Sequence, residues 1–263
     1  MSDDILNMSG RTAFVTGAAS GLGFAMAEAL AEKRARVCLA DTNEEALQRA
    51  VDGLKKAGHA VEWARVDVRQ TEALHEAVAR FAKEHGRLDV AIANAGITGG
   101  APIMDPAGHI ESIDLAAMSN VIAINQIGAF ATMQAAAKQM KPQRSGRIIV
   151  TSSISGMRTS VISGYPYSMT KAAMIQMVRL AALELAPYDI RVNCIAPGPF
   201  FTNISDRLYK DVERRQMMAD STALKRIANP AELKGLALLL SSEGASYITG
   251  QVIAIDGGSM IQT

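Results

Sequence analysis

The stretch YPYSMTK, Tyr165 to Lys171, puts two phenols, a proline and an ammonium within seven residues. Taking a proton from an alcohol requires a base, and a free phenol, with a pKa of about 10, ionises too little at neutral pH to serve unaided. An ammonium beside it favours the phenolate, and an opposite charge at close range lowers a pKa by about 1–3 units. Each residue of a helix turns about 100°, so Tyr167 and Lys171 lie within about 40° of each other on one face. Tyr165 would lie about 120° from Lys171, and Pro166 makes it a poor helix member. The spacing gives the acid/base role to Tyr167 and leaves Tyr165 to shape a substrate pocket or to pack.

A second chemical signal is VTGAASGLGFAMAEAL, where an apolar run meets a helical pattern through Gly17, Gly21 and Gly23. Glycines permit a tight turn and let the backbone approach a pyrophosphate. The helix N-terminus behind them offers free N–H groups and a positive dipole end to phosphates. Asp41 follows 18 residues after Gly23, near the spacing of a carboxylate that accepts from the adenosine ribose. That carboxylate would repel a 2′-phosphate. Ala19, Ser20, Thr42 and Asn43 supply no cation to neutralise one. NAD is therefore expected rather than NADP, with a helix cap or turn as the plainer role for Asp41.

The elements that must hold these residues follow from periodicity. Strands are expected at 12–16, 36–40, 60–66, 88–94, 146–152, 190–196 and 252–256. Helices are expected at about 21–34, 43–57, 71–85, 116–140, 166–186 and 230–241. Strands alternating with helices imply βαβ units and a parallel sheet, and strands apolar on both sides imply helices on both faces. Residues 1–263 are read as a single α/β domain, a doubly wound Rossmann-type sheet. The segments 97–115 and 197–229 break the rhythm after strand ends, where such folds bind ligands.

Composition narrows the field. Hydrophobic residues make up 49% and charged residues 20%, and the net charge is +1, which gives no electrostatic footprint for nucleic acid. The acidic start is not a secretory signal, and runs such as GAFATMQAAA are too short to span a bilayer. Cys38 and Cys194 sit in apolar runs and read as small buried hydrophobes in a reducing cytoplasm. The four histidines are scattered, so no metal site is expected.

Seven motifs in order resemble those of the short-chain dehydrogenases/reductases over nearly the whole chain. They are TGAASGLG, Asp67–Val68, Asn94–Ala95–Gly96, Asn125, Ser153, YSMTK and PGPFFT. The resemblance implies a dinucleotide held by Gly17, Ser20, Gly21, Leu22, Gly23 and Asp41. It adds Asp67 and Val68 at the adenine, Asn94, Ala95 and Gly96 at the central sheet, and Pro197, Gly198, Phe200 and Thr202 over the nicotinamide. It implies that Tyr167 exchanges the proton and that Lys171 also meets the nicotinamide ribose. Ser153 would hold the substrate oxygen, and Asn125 would anchor a relay water. Without the resemblance, nothing separates Ser153 from Ser152 or Ser155. One extra residue lies between Ser153 and Tyr167 compared with the usual family spacing. The resemblance also implies a homotetramer.

The substrate side is expected to be lined by 97–115 and by a lid at 202–219. Ser155, Tyr165 and His109 are candidate substrate contacts. Arg207, Lys210, Arg214 and Arg215 would draw an anion or simply form a solvated face. Tyr209, Met217 and Met218 suggest an apolar wall. The expected activity is NAD-dependent interconversion of a small-molecule secondary alcohol and its ketone. The alternatives are a carbonyl reductase of the 3-oxoacyl type and a non-catalytic NAD-binding sensor.

Overall fold

The computed structural model describes residues 5–202 and 211–261. Seven parallel strands run β1 Thr12–Thr16, β2 Arg36–Asp41, β3 Val61–Arg65, β4 Val90–Ala93, β5 Gly146–Thr151, β6 Ile190–Pro197 and β7 Val252–Ile255. Their order in the sheet is β3-β2-β1-β4-β5-β6-β7. The order reverses between β1 and β4, so the crevice of a doubly wound sheet opens beyond their C-terminal ends.

The helices are α1 Gly21–Glu32, α2 Glu44–Lys56, α3 Thr71–His85, α4 Leu115–Val121, α5 Gly128–Gln143, α6 Tyr165–Leu185, α7 Val212–Asp220 and α8 Lys234–Ser241. Along β1 and β2 the side chains alternate between two cores. Phe14 and Cys38 join the core that includes residues of α3, α5 and α6. Ala13, Val15, Val37 and Leu39 join the core that includes residues of α1, α2 and α8. Strand side chains alternate faces, and each face needs its own apolar cover.

Three expectations are corrected. Tyr165 is the first residue of α6, capped by Gly164, with Pro166 in the first turn. Proline is tolerated there because that N–H has no partner within the helix in any case. The helix expected at 116–140 is interrupted by a π-helical turn at Ile122–Ile127. Through that turn α4 and α5 join into a 29-residue helix, Leu115–Gln143, long and apolar enough by composition to cross a membrane. Many of its apolar residues instead face α3 and the sheet, including Ala129, Ala131, Met133, Ala136 and Met140.

The end of the sheet away from the crevice is held by charge. Asp89, buried just before β4, accepts from the Thr12 N–H at 2.9 Å, from Arg11 Nη1 at 3.0 Å and from Arg87 Nε at 2.8 Å. Removing the carboxylate leaves the buried Thr12 N–H without its acceptor, which costs about 1–3 kcal/mol. Asp89→Ala is expected to lose about that much in urea unfolding while leaving the KM values of the folded enzyme unchanged.

Candidate active site

Two cavities meet at the C-terminal edge of the sheet. The first, of about 380 Å³, is walled by the β1–α1 turn, the ends of β2 to β5 and the segment after β6. Gly17, Ser20, Gly21 and Leu22 line it at the turn, Asp41 at the end of β2, and Asp67 and Val68 after β3. Asn94, Ala95 and Gly96 line it after β4, and Pro197, Gly198, Phe200 and Thr202 close it. Ser153, Tyr167 and Lys171 complete the wall.

The turn takes its shape from close backbone approach. Gly17 has φ +66°, and a Cβ there would stand 2.7 Å from the Ala95 Cα. A Cβ on Gly23 would stand 2.1 Å from the Gly17 carbonyl oxygen. Gly23 therefore does not line the cavity; it lets α1 dock under the turn. The Asn94 Nδ2 donates to the carbonyls of Thr16 at 3.2 Å and Gly17 at 3.1 Å, tying β4 to the turn. Ser20 is the N-cap of α1, but its side chain caps no N–H, so the first-turn donors are left for an anion. These features fit a dinucleotide pyrophosphate.

Asp41 accepts from the Ala19 N–H at 3.2 Å and from the Asn43 N–H at 3.1 Å. The N-cap of α2 is Asn43, not Asp41. Among the described residues two cations line the cavity, Arg69 and Lys171. Arg69 is engaged by Asp67 and by Asn120, and its guanidinium holds the Asp67 carboxyl below the usual carboxylate range.

The three serines separate by their partners. Ser152 Oγ donates to the Lys171 carbonyl at 2.7 Å. Ser153 lines both cavities beside Tyr167, and its Oγ accepts from the Ser155 N–H at 3.1 Å and donates to the Pro197 carbonyl at 3.5 Å. Ser155 pairs with Ser163 at 2.7 Å in the second cavity. Asn125 sits within the π turn, fully buried. Its amide exchanges hydrogen bonds with the Ile97 backbone at 2.8 and 2.9 Å and donates to Thr170 Oγ1 at 3.2 Å. A Cβ on Gly96 would lie 3.2 Å from Asn125 Oδ1 and 3.6 Å from Lys171 Nζ, so these two groups flank that glycine.

Lys171 is 4% exposed, and its Nζ donates to the Thr151 carbonyl at 2.8 Å and stands 5.6 Å from the centre of the Tyr167 ring. Burial pushes the ammonium down to about 8. Burial pushes the Tyr167 phenol up, and the Ser153 hydroxyl opposes the rise.

The second cavity, of about 670 Å³, shares Ser153, Tyr167 and Gly198 with the first. It reaches along 98–102 to Met218 on α7. Ser155 lines it; Tyr165 and His109 line neither cavity. His109 stands 3.8 Å from Glu111 on an exposed turn. Arg214 lines the second cavity but is held by Asp105 and Asp211. Arg207, Tyr209 and Lys210 lie outside the described residues. Both cysteines are buried and unpaired, and burial pushes the Cys194 thiol up to about 11. Among the described residues one metal-compatible grouping occurs, Glu62, Glu84 and His85, and it lines neither cavity.

A seven-stranded parallel sheet with this glycine turn and this Ser–Tyr–Lys set defines the chain as a member of the short-chain dehydrogenase/reductase family. Residues 17–260 match the family model described as enoyl-(acyl carrier protein) reductase. The cis-4-hydroxycyclohexanecarboxylate dehydrogenase of Sinomonas cyclohexanicum is 38% identical, over 94% of this chain and 96% of its own. The cyclohexanol dehydrogenase of Rhodococcus sp. (strain TK6) is 36% identical, over 97% and 98%. The gluconate 5-dehydrogenase of Burkholderia cenocepacia J2315, solved with NADP and tartrate, superposes with a TM-score of 0.91 at 28% identity, covering 99% of both chains. The chain is thus an oxidoreductase of a family that uses NAD or NADP.

The buried ammonium has a measurable signature. Between about pH 8, the folded value, and 10.5, the free value, the unfolded chain binds more protons than the folded one. Stability from this group therefore rises with pH through that window. In the protein without cofactor, wild type is expected to gain up to about 3 kcal/mol relative to Lys171→Met between about pH 7 and pH 10.5. A pH-independent difference in denaturant unfolding would contradict the burial.

Proposed function

We propose that the chain oxidises a ring-bearing secondary alcohol to its ketone with NAD, with Tyr167 as the general base. The observation that carries this reading is that Ser153 and Tyr167 stand on the shared wall of a dinucleotide-sized cleft and a separate cavity. A bound NAD supplies the hydride acceptor. The chain's own residues do the rest. The substrate hydroxyl hydrogen-bonds to Ser153 Oγ and hands its proton to the Tyr167 oxygen. The Lys171 ammonium favours the phenolate through its charge. Asn125 fixes the Ile97 backbone beside Gly96 and so holds the wall near Lys171. In the reductive direction the same groups return the proton to the carbonyl oxygen.

The substrate class is supported by the names of the two relatives, both of which act on cyclohexane alcohols. NAD is supported by Asp41 at the end of β2 and by the engagement of Arg69 with Asp67. A homotetramer is supported by the exposed apolar residues Phe130 on α5 and Met169, Leu180 and Leu183 on α6, since apolar patches of this kind mark interfaces.

Tyr167→Phe removes the proton acceptor and little else. It is expected to lower kcat/KM for cyclohexanol by about 10²- to 10⁴-fold while the dissociation constant for NADH stays within a few-fold. Retained turnover would give the proton transfer to a group other than Tyr167. Asp41→Ser is expected to move the ratio of kcat/KM with NAD to that with NADP by at least about tenfold towards NADP, because it removes a carboxylate facing the 2′-phosphate. An unchanged ratio would assign Asp41 to the turn alone.

A further inference from the structure

The cavity beside Ser153 and Tyr167 carries a cation that proton transfer does not use. Among the described residues three charged ones line it: Asp105, Arg158 and Arg214. Arg214 forks onto Asp105, with Nη1–Oδ2 at 3.2 Å and Nη2–Oδ1 at 2.9 Å, and its Nε meets Asp211 at 3.3 Å. Arg214 is therefore satisfied by carboxylates. Arg158 has none among the described residues. Its Nη2 donates to Ser259 Oγ at 2.6 Å, which places the guanidinium against another residue of the cavity wall. Its Nε is buried with no acceptor.

A guanidinium carries five N–H donors and keeps its charge throughout the accessible pH range. Arg158 is partly buried, and a cation partly withdrawn from water without a counter-ion is open to an anion that enters the cavity. A fold that keeps one on a cavity wall has a reason when the cavity's occupant brings the anion. Carboxylates fit best, because the planar fork takes both oxygens at once. The hydroxyl of Ser259 and whichever of the paired Ser155 and Ser163 hydroxyls does not donate to the other line the same cavity and can donate to the remaining lone pairs.

From this we infer that Arg158 is a specificity-determining residue that binds a carboxylate on the substrate, so that the preferred substrate is a ring secondary alcohol bearing a carboxylate. The inference rests on the alcohol dehydrogenase reading above. The hydroxyl end of the substrate lies at Ser153 and Tyr167, and the carboxylate end lies at Arg158 and Ser259.

The test compares kcat/KM for cis-4-hydroxycyclohexanecarboxylate with that for the corresponding uncharged carboxamide, with NAD. Wild type, Arg158→Met and Arg158→Lys are measured in parallel. Wild type is expected to prefer the acid. In Arg158→Met the acid-to-amide ratio falls about 100-fold, mainly through KM, as befits the loss of one partner of a desolvated charge pair. Arg158→Lys recovers part of that ratio. Equal losses on both compounds would make Arg158 a brace for the Ser259 segment and overturn the inference. Turnover of the amide or of cyclohexanol by wild type without preference for the acid would also overturn it, with the dehydrogenase reading intact. Turnover of none of these alcohols would overturn both. If Arg158→Met does not fold, wild type decides alone. Cyclohexanecarboxylate is then expected to compete with alcohol substrate at least about tenfold better than cyclohexanecarboxamide, and equal inhibition would overturn the inference.

Discussion

The site depends on keeping the Lys171 ammonium inside the protein. A buried ammonium stands only where the surroundings supply acceptors in place of water. Here the Thr151 carbonyl, at the end of β5, accepts from Nζ. The Ser152 hydroxyl grips the Lys171 carbonyl. Gly156 lets the turn after β5 lie against the helix, since a Cβ there would meet the Lys171 carbonyl carbon at 2.5 Å. These contacts fix the start of α6 against the strand end. The same register carries Tyr167, one turn earlier, to the shared wall of both cavities and to Ser153.

Around that point the parallel sheet does the positioning. Its order reverses between β1 and β4, so the loops after these strands part and leave a crevice. The glycine turn fills one side. Asn94 fixes that turn from the other side through two carbonyls. The π turn brings Asn125 onto Ile97, 28 residues away in sequence, and so stiffens the loop that begins the second cavity. π turns are uncommon and recur at functional sites because they re-aim a side chain. The charge on Asp89 holds the opposite end of the sheet, far along the strands from the chemistry.

Much of this was legible in the residues. Parallel strands are apolar on both faces, and their runs were visible near their true bounds; the α3 range, 71–85, matches the observed Thr71–His85. Tyr167 and Lys171 were paired by helical spacing, and the structure brings Lys171 Nζ over that ring. Tyr165 was misplaced because proline was weighed as a breaker, whereas position two of a helix tolerates it. The π turn was not legible, since Asn125 takes up its conformation through a backbone partner on a distant loop. Spacing also reveals the Lys171 cation and says nothing of the burial that pushes the Tyr167 phenol up. Arg158 carried no signal, lying in a short loop with no motif, and its importance comes from what it lacks in three dimensions.

The most direct test of the central claim is the primary isotope effect on cyclohexanol oxidation with NAD, using substrate deuterated at the carbinol carbon and following NADH formation across pH. Hydride removal coupled to ionisation of Tyr167 predicts NAD-linked turnover that rises with pH on the acid side. It also predicts a deuterium effect clearly above one on kcat/KM at low pH, where the chemical step is slowest. Absence of NADH formation, or turnover that keeps its pH dependence in Tyr167→Phe, would contradict the account.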